Sequence, residues 1–190
     1  MIDLHTIPGF LTPETRDEVD TELRASAGAA STVLSAQTAG GVVHSTVRRS
    51  TRVAVSPETR ERVKRLLMER KGELEERFGV SLSECEDPQF LRYREGDFFV
   101  PHQDGNTPLV YDDSRFRRVS AVIFLTPRSA EPAEGTYGGG DLVFHGPWPA
   151  NERVSADADP GTLVAFRAET THEVTPVTHG ERYTIVSWFR

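Results

Sequence analysis

Three side chains in this sequence have the types needed to hold a metal ion: His102, Asp104 and His172. Two imidazoles and one carboxylate form the ligand set of mononuclear non-haem iron sites, which leave coordination positions open. Arg182 follows the second histidine by ten residues, and its guanidinium fork suits the carboxylate of an organic acid. Together these residues predict an iron enzyme that oxidises a substrate with O₂ and an organic acid.

The pair His102 and Asp104 is weak evidence when taken alone. The chain has 29 acidic residues and six histidines in 190 positions, so chance gives roughly one His-x-acid match. A second match, His179-Gly180-Glu181, has no histidine after it, and Gly180 predicts a turn there. His102 instead follows the apolar run 98–101, and the period-two geometry of an extended segment would put His102 and Asp104 on one side.

His172 and Arg182 strengthen the metal hypothesis. His172 follows the apolar run 161–166 and opens another extended piece, although a polar residue in a loop between two strands is the alternative. Residues 182–189 alternate as a strand does, which puts Arg182 on the largely apolar face of Trp188. Arginine is almost never fully buried without an anionic partner. Arg182 therefore meets either an acidic residue of the protein or a ligand carboxylate, and a metal site favours the ligand.

Two helices are predicted in the first part of the chain, and both begin with a capping residue, a proline and a glutamate. Thr12 starts the first helix, which runs to about Ser26, and Ser56 starts the second. The second carries apolar residues at helical spacing until Gly79 stops it. From Gln89 onward the runs are short, β-rich and separated by Gly, Pro and Asp. This pattern, without interleaved helices, predicts an antiparallel double-sheet barrel.

The length fits one domain over residues 1–190. We expect residues 1–88 to supply helical support and edge strands, and residues 89–190 to form the metal-binding core. The segments Gly28–Gly41 and Arg128–Gly140 are predicted to be mobile loops because they are rich in small and polar residues.

Charge and cysteine content exclude some classes of function. The net charge is −7 and the sequence pI is about 5.4, so nucleic-acid binding is not expected. No stretch predicts a membrane span or a secretory leader. Cys85 is the single cysteine and is expected to be a small, partly buried side chain. It cannot form an internal disulfide, which favours a reducing, cytoplasmic compartment. The oligomeric state is open.

Several segments keep the order and spacing of one known family over about half of the chain. They are 93–96 (YREG), 99–104 (FVPHQD), 119–127 (VSAVIFLTP), 138–144 (GGGDLVF), 161–166 (GTLVAF), 172–177 (HEVTPV) and 180–188 (GERYTIVSW). In these segments the chain resembles the 2-oxoglutarate/iron(II) dioxygenases, in particular their prolyl 4-hydroxylase-like branch. The resemblance implies a mainly β fold with flanking N-terminal helices. The β part would be a double-stranded β-helix (jelly roll, cupin-like).

The resemblance also implies roles for individual residues. His102, Asp104 and His172 would bind iron(II). Arg182 would bind the distal carboxylate of the cosubstrate 2-oxoglutarate, and Tyr93 would contact the same molecule.

A second tyrosine of the family falls on Phe124, so one hydrogen bond to 2-oxoglutarate either comes from elsewhere or is not made. The implied activity is hydroxylation of an unactivated C–H bond with O₂, which gives succinate and CO₂, with ascorbate as a supporting reductant. Halogenating relatives lack the carboxylate ligand, so Asp104 favours hydroxylation. The substrate stays open between a prolyl residue, a free amino acid and a biosynthetic intermediate, because fold and cosubstrate do not fix it.

Two arginine clusters could be ordinary surface charge or could bind an anionic substrate group. They are Arg48, Arg49 and Arg52, within a loosely alternating edge strand at 47–55, and Arg115, Arg117 and Arg118. Trp188 is expected in core packing, with pocket lining as the alternative. No role is predicted for the remaining histidines, His5, His44 and His145.

Two rival classes remain. The first is a non-catalytic, cupin-like metal-binding module, whose site usually adds a further histidine near the first pair, whereas Pro101 and Gln103 flank His102 here. The second is a catalytically inactive interaction domain, in which at least one ligand would be replaced, whereas all three are present.

Overall fold

The computed structural model describes residues 2–31, 33–35, 38–42, 46–107, 112–147, 149, 151–156 and 159–190. The helices in these ranges are α1 (Pro13–Ala25), α2 (Pro57–Glu69) and α3 (Lys71–Phe78), with a 3₁₀ turn at Asp113–Phe116. The strands are β1 (Leu4–Ile7), β2 (Gly28–Ala30), β3 (Val33–Ser35), β4 (Thr38–Val42), β5 (Arg48–Arg49), β6 (Thr51–Val53), β7 (Gln89–Arg94), β8 (Phe98–His102), β9 (Val119–Phe124), β10 (Tyr137–Gly139), β11 (Leu142–His145), β12 (Arg153–Ala156), β13 (Leu163–Arg167), β14 (His172–Val174) and β15 (Val177–Phe189).

Helices α1 and α2 begin at the predicted capping residues. The Thr12 hydroxyl accepts a hydrogen bond from the Thr15 N–H at 3.3 Å, and the Ser56 hydroxyl accepts one from the Thr59 N–H at 3.2 Å. Each cap satisfies a backbone donor that the first helical turn leaves without a partner. No helix in the described ranges is long and apolar enough to span a membrane.

The second predicted helix is two helices, so the prediction of one continuous helix was wrong. The Arg70 N–H bonds to the carbonyl of Leu67, three residues back, at 3.0 Å, which tightens the chain and ends α2 there. Gly72, a weak helix former, lies in the first turn of α3 and lowers the cost of this break. Gly79 ends α3 with a φ of 61°, as predicted.

The larger sheet is antiparallel and has the strand order β1-β13-β9-β15-β7-β6-β2. Strand β10 also pairs with β15, along the part of β15 that precedes its pairing with β9. The long strand β15 is therefore central. It carries Arg182 opposite Tyr93 of β7, and Thr184 opposite Phe124 of β9.

The smaller sheet has the order β12-β11-β14-β8-β5. Apolar side chains from both sheets meet between them in one cluster: Leu91, Tyr93, Val122, Phe124, Val164 and Phe166 from the larger sheet, and Leu142, Phe144 and Val174 from the smaller. A second cluster packs the helices on the outer face of the larger sheet, for example Leu23 and Leu67 with Ile185. Two facing antiparallel sheets with helices on one side are the predicted jelly roll, and the fold prediction is confirmed.

Two predicted loops contain strands. Strands β2, β3 and β4 lie in or overlap Gly28–Gly41, of which residues 32, 36 and 37 lie outside the described ranges. Within Arg128–Gly140, Tyr137–Gly139 pairs with β15 and Arg128 forms a bridge to Tyr137. Both predictions were wrong for these residues, because backbone N–H and C=O groups made the pairs and small side chains do not prevent them.

The edge strand predicted at 47–55 is two short strands that join different sheets. Arg48 pairs with Phe99 of β8 at the edge of the smaller sheet. Thr51 pairs with Arg92 of β7 in the larger sheet, where β6 lies between β2 and β7. Only Ser50 separates the two strands, so the chain crosses from one sheet to the other within a single residue.

Candidate functional site

Backbone pairing places the two candidate histidines side by side. His102 ends β8 and lies opposite His172, which begins β14. The register shifts between His172 and Val174, next to Pro101, which has no N–H for a regular ladder. The two ring centroids are 4.2 Å apart.

Asp104 completes a three-residue cluster. Its Oδ1 lies 3.6 Å from the Nε2 atom of His102, and its Oδ2 lies 3.5 Å from the Nε2 atom of His172. One ligand atom from each residue can be chosen so that all three lie within 4.8 Å of one another. The backbone N–H of Asp104 is held by the Ala168 carbonyl at 2.9 Å, which fixes the turn after β8.

The second nitrogen of each ring sets its orientation. The Nδ1 atom of His102 lies 2.9 Å from the Val100 carbonyl, and the Nδ1 atom of His172 lies 2.9 Å from the Thr170 carbonyl. A carbonyl oxygen only accepts, so each Nδ1 carries a hydrogen, and in the neutral form of such a ring Nε2 has a lone pair. This tautomer directs a potential metal-binding nitrogen of each ring toward the space beside the Asp104 carboxylate.

The charges in the cluster also suit a cation. Burial raises the pKa of the Asp104 carboxyl, but the two imidazoles and the Trp188 indole outweigh this effect and hold that pKa well below its usual range. Burial and the neighbouring His102 lower the pKa of His172 to about 4. At neutral pH the cluster thus presents an ionised carboxylate and a neutral His172 ring. Two nitrogens and one carboxylate oxygen are a donor set that fits iron(II).

Side chains outside the cluster hold it in place. The Ser120 hydroxyl donates to the Asp104 Oδ2 at 2.7 Å, and Arg117 donates to the Asp104 carbonyl at 3.3 Å. Phe99 stacks on the His102 ring, with centroids 3.5 Å apart and an interplanar angle of 17°. These contacts leave the candidate ligand side chains little rotational freedom.

Arg182 is a buried cation with an incomplete set of partners. Its side chain points into the space between the sheets, and the residue is 1% exposed. One terminal nitrogen donates to the Thr184 hydroxyl at 3.3 Å, whereas Nε and the other terminal nitrogen have no hydrogen-bond partner within the described ranges. The structure shows no ion pair of Arg182 with a described acidic residue. Because a buried charge without a counter-charge is costly, this position suits an anionic ligand.

Three aromatic rings surround the Arg182 guanidinium. Its central carbon lies 5.3 Å from the ring centroid of Tyr93, 5.4 Å from that of Phe124 and 6.0 Å from that of Tyr137. The structure thus brings Tyr93 and Arg182 together, as expected. Tyr137 was not singled out from the sequence.

The remaining histidines lie elsewhere. His179 was predicted to be in a turn, but it lies within β15 opposite Gly138. Gly180, with a φ of 71°, bends the strand without ending it, so the turn prediction was wrong. His5 contacts Glu73 at 2.8 Å and His145 contacts Glu173 at 3.1 Å. His44 lies outside the described residues.

The arginine clusters have mixed environments. Arg117 is largely buried, binds both carboxylate oxygens of Glu86 at 2.8 and 2.7 Å, and lies over the Trp188 ring at 3.8 Å. It is therefore neither ordinary surface charge nor a free anion site. Arg118 donates to Asn106. Arg48 lies over the Phe99 ring at 4.8 Å, and Phe99 in turn stacks on the His102 ring.

Sequence reasoning missed Ser120 and underrated Trp188. The available signal was alternation in β9, which puts Ser120 on the same face as Phe124, together with the shared face of Arg182 and Trp188 on β15. Both faces of β9 are buried. A polar side chain on the face toward the smaller sheet, that of Ser120, could therefore have indicated a role beside the site.

Residues 88–190 match the family model described as the 2OG-Fe(II) oxygenase superfamily. A PKHD-type hydroxylase of Cupriavidus pinatubonensis is 33% identical over 105 residues, which cover 54% of this chain and 42% of that protein. A PKHD-type hydroxylase of Paracoccus denitrificans is 37% identical over 103 residues, with 53% and 41% covered. The chain spans less than half the length of these curated relatives.

Two solved structures share the fold over the whole chain. A prolyl-4-hydroxylase of Pseudomonas putida has a TM-score of 0.71 at 21% identity, covering 100% of this chain and 93% of that one. A prolyl hydroxylase from Trichoplax adhaerens, in complex with a peptide fragment of a hypoxia inducible factor oxygen degradation domain, has a TM-score of 0.70 at 18% identity, covering 100% and 84%. At these identities the likeness concerns the fold alone, the predicted double-stranded β-helix.

Proposed function

Because this chain belongs to the 2OG-Fe(II) oxygenase superfamily, we propose that it is a 2-oxoglutarate-dependent hydroxylase. The observation that carries the proposal is the largely buried cluster of His102, Asp104 and His172 in the same inter-sheet space as the Arg182 guanidinium, which has no ion-pair partner among the described residues. A metal-ligand set and a carboxylate receptor are the two recognition elements that this chemistry needs. Bound iron(II), with O₂ and 2-oxoglutarate, would supply the oxidation of an unactivated C–H bond, with succinate and CO₂ as co-products.

In this proposal His102, Asp104 and His172 are the three protein ligands of iron(II). The Nε2 lone pairs of the two rings and the ionised carboxylate provide them, and the Nδ1–carbonyl hydrogen bonds keep the rings from turning. Three ligands leave further coordination positions open for small molecules.

Arg182 and Tyr93 form the cosubstrate end of the proposed site. The free nitrogens of Arg182 can bind a carboxylate in a fork geometry. Tyr93 lies directly opposite Arg182 on β7, so its hydroxyl-bearing ring borders the same space. The apolar surroundings exclude water and strengthen this ion pair.

The substrate is proposed only as a class. The curated relatives are named PKHD-type hydroxylases, and the two solved structures are prolyl hydroxylases, one of them with a peptide. A prolyl residue is the first candidate, followed by a free amino acid and a biosynthetic intermediate. A cytoplasmic location is also part of the proposal and rests on the single cysteine.

The test is succinate release from 2-oxoglutarate with iron(II), O₂ and ascorbate, screened across proline peptides, free amino acids and small-molecule pools. We expect one candidate to accelerate succinate formation and to gain one oxygen atom by mass spectrometry. The His172→Ala protein should be inactive and the His179→Ala protein active. Iron binding without any O₂-dependent succinate release in all pools would favour the non-catalytic metal-binding module.

A further inference from the structure

Phe124 and Tyr137 occupy equivalent positions on the same flank of Arg182. Strand β15 pairs with β9 and β10 along one edge, and Phe124 lies opposite Thr184 while Tyr137 lies opposite Gly180. The two aromatic residues are thus diagonal neighbours of Arg182, two positions to either side of it. Side chains two residues apart on a strand share a face, so both rings point to the face that carries the guanidinium.

Two glycines allow Tyr137 to lie close to Arg182, and the first is Gly180, where the backbone of β10 approaches β15. Its φ is 71°, and a Cβ atom there would lie 2.0 Å from the Thr136 carbonyl oxygen, so only glycine fits this close approach. At Gly140, a Cβ atom would lie 3.0 Å from the Cδ atom of Arg182 and 3.4 Å from the Tyr137 ring, so the lack of a side chain there leaves room for both. The Tyr137 ring centroid lies 6.0 Å from the guanidinium carbon.

The Tyr137 hydroxyl has the properties of a ligand-binding group. The residue is 5% exposed, and its hydroxyl makes no hydrogen bond to the described residues. A tyrosine hydroxyl can donate a hydrogen bond as well as accept one. Phe124, the other diagonal neighbour of Arg182, has no hydroxyl. Of these two residues, Tyr137 is therefore the one that can donate a hydrogen bond.

We propose that the Tyr137 hydroxyl donates a hydrogen bond to the 2-oxoglutarate carboxylate bound by Arg182, and so replaces the donor that Phe124 lacks. This inference rests on the proposed function. The carboxylate would have the two free nitrogens of Arg182, with Tyr93 on one flank and Tyr137 on the other. With the hydroxyl on Tyr137 instead of on residue 124, the carboxylate would have the same number of hydrogen-bond donors around it.

The test is the dissociation constant of 2-oxoglutarate, measured by calorimetry on the anaerobic iron(II) protein. Tyr137→Phe should weaken binding about tenfold or more, because a hydrogen bond to a charged group is lost. Adding Phe124→Tyr to that variant should restore most of the affinity. Phe124→Tyr alone should tighten binding less than it does in the Tyr137→Phe background, since both hydroxyls serve one carboxylate.

A second ligand separates this role from a structural one. 2-Oxobutyrate has the ketoacid end but no distal carboxylate, so its affinity should be the same in the parent and in Tyr137→Phe. An unchanged 2-oxoglutarate affinity in Tyr137→Phe, or a double variant without rescue, would overturn this inference and leave the proposed function intact. A parent protein that binds iron(II) but no 2-oxoglutarate would overturn both.

Discussion

His102 and His172 lie directly opposite each other on two antiparallel strands, with ring centroids 4.2 Å apart. Seventy residues separate them in the sequence, so the pairing of β8 with β14, and not local chain geometry, brings the rings together. A slip of one residue in this register would turn one ring to the opposite face of the sheet. The proposed metal centre therefore depends on strand register as much as on residue identity.

The first prediction concerns the metal ligands. His172→Ala should remove most of the iron(II) affinity, because two of three protein ligands cannot hold the ion as tightly. Metal analysis after anaerobic loading measures this, and His179→Ala is the matched control on a neighbouring strand segment. Full iron stoichiometry in His172→Ala would remove this residue from the site.

The second prediction concerns the carboxylate receptor. Arg182→Ala should weaken 2-oxoglutarate binding roughly 30- to 1,000-fold, equivalent to about 2–4 kcal/mol for a forked ion pair in a largely dry space. Arg182→Lys keeps the charge but loses the fork, so its loss should be smaller. Iron binding should survive both changes.

Anaerobic titration of 2-oxoglutarate measures these affinities. The control is Arg94→Ala, which removes an exposed arginine whose partner is Glu181, the neighbour of Arg182. Equal affinity in Arg182→Ala and the parent would mean that this guanidinium serves the fold and not the ligand.

The third prediction concerns Ser120. Its hydroxyl orients the Asp104 carboxylate, and groups that orient a metal ligand typically affect metal affinity about 10- to 100-fold. Ser120→Ala should therefore weaken iron(II) binding in that range without changing the fold, as judged by circular dichroism. Ser129→Ala, whose hydroxyl bonds to a loop carbonyl, is the control. No change in iron affinity would show that Asp104 needs no such support.

The fourth prediction concerns Cys85, which is 1% exposed and lies beside Ser187. Burial raises the pKa of its thiol from 9.0 to about 11, so at pH 8 only about one molecule in a thousand is the reactive thiolate. Iodoacetamide should label the native protein very slowly at this pH and the urea-unfolded protein quickly. Rapid labelling of the native state would contradict the buried position.

The same pKa shift has a consequence for stability. Because the folded pKa lies above the unfolded one, the unfolded chain loses its proton first as the pH rises. The free energy of unfolding should fall between pH 9 and 11, by up to about 1.4 kcal/mol per pH unit. Urea unfolding measures this slope, and it should be smaller in Cys85→Ala.

Much of the fold and of the site could be predicted from the sequence. The capping residues Thr12 and Ser56 gave the helix starts, and the short β-rich runs after Gln89 gave the sandwich. The resemblance to the 2-oxoglutarate/iron(II) dioxygenases is confirmed by the family match, and two solved prolyl hydroxylases share the fold. Local patterns sufficed here because helix caps and strand alternation are local properties.

Apart from the break between α2 and α3, the failures were questions of partner choice. His179 was expected in a turn because Gly180 follows it, but β10 pairs with this segment and extends the strand. Arg117 was expected on the surface or at an anion, but Glu86, 31 residues away, binds it. Tyr137 lay in a predicted loop. Nothing in a local window shows which distant backbone or side chain will meet a residue.

The crossing at Ser50 restricts where the molecule can open. On one side of Ser50, β5 is hydrogen-bonded to β8, which carries His102, and on the other side β6 is hydrogen-bonded to β7, which carries Tyr93. The Ser50 carbonyl also accepts the Ser31 N–H at 2.8 Å. Separating the two sheets along this edge would require breaking the hydrogen bonds of one of these strand pairs, so the molecule does not open there. A substrate of the proposed hydroxylase would therefore have to approach the proposed metal centre from another side.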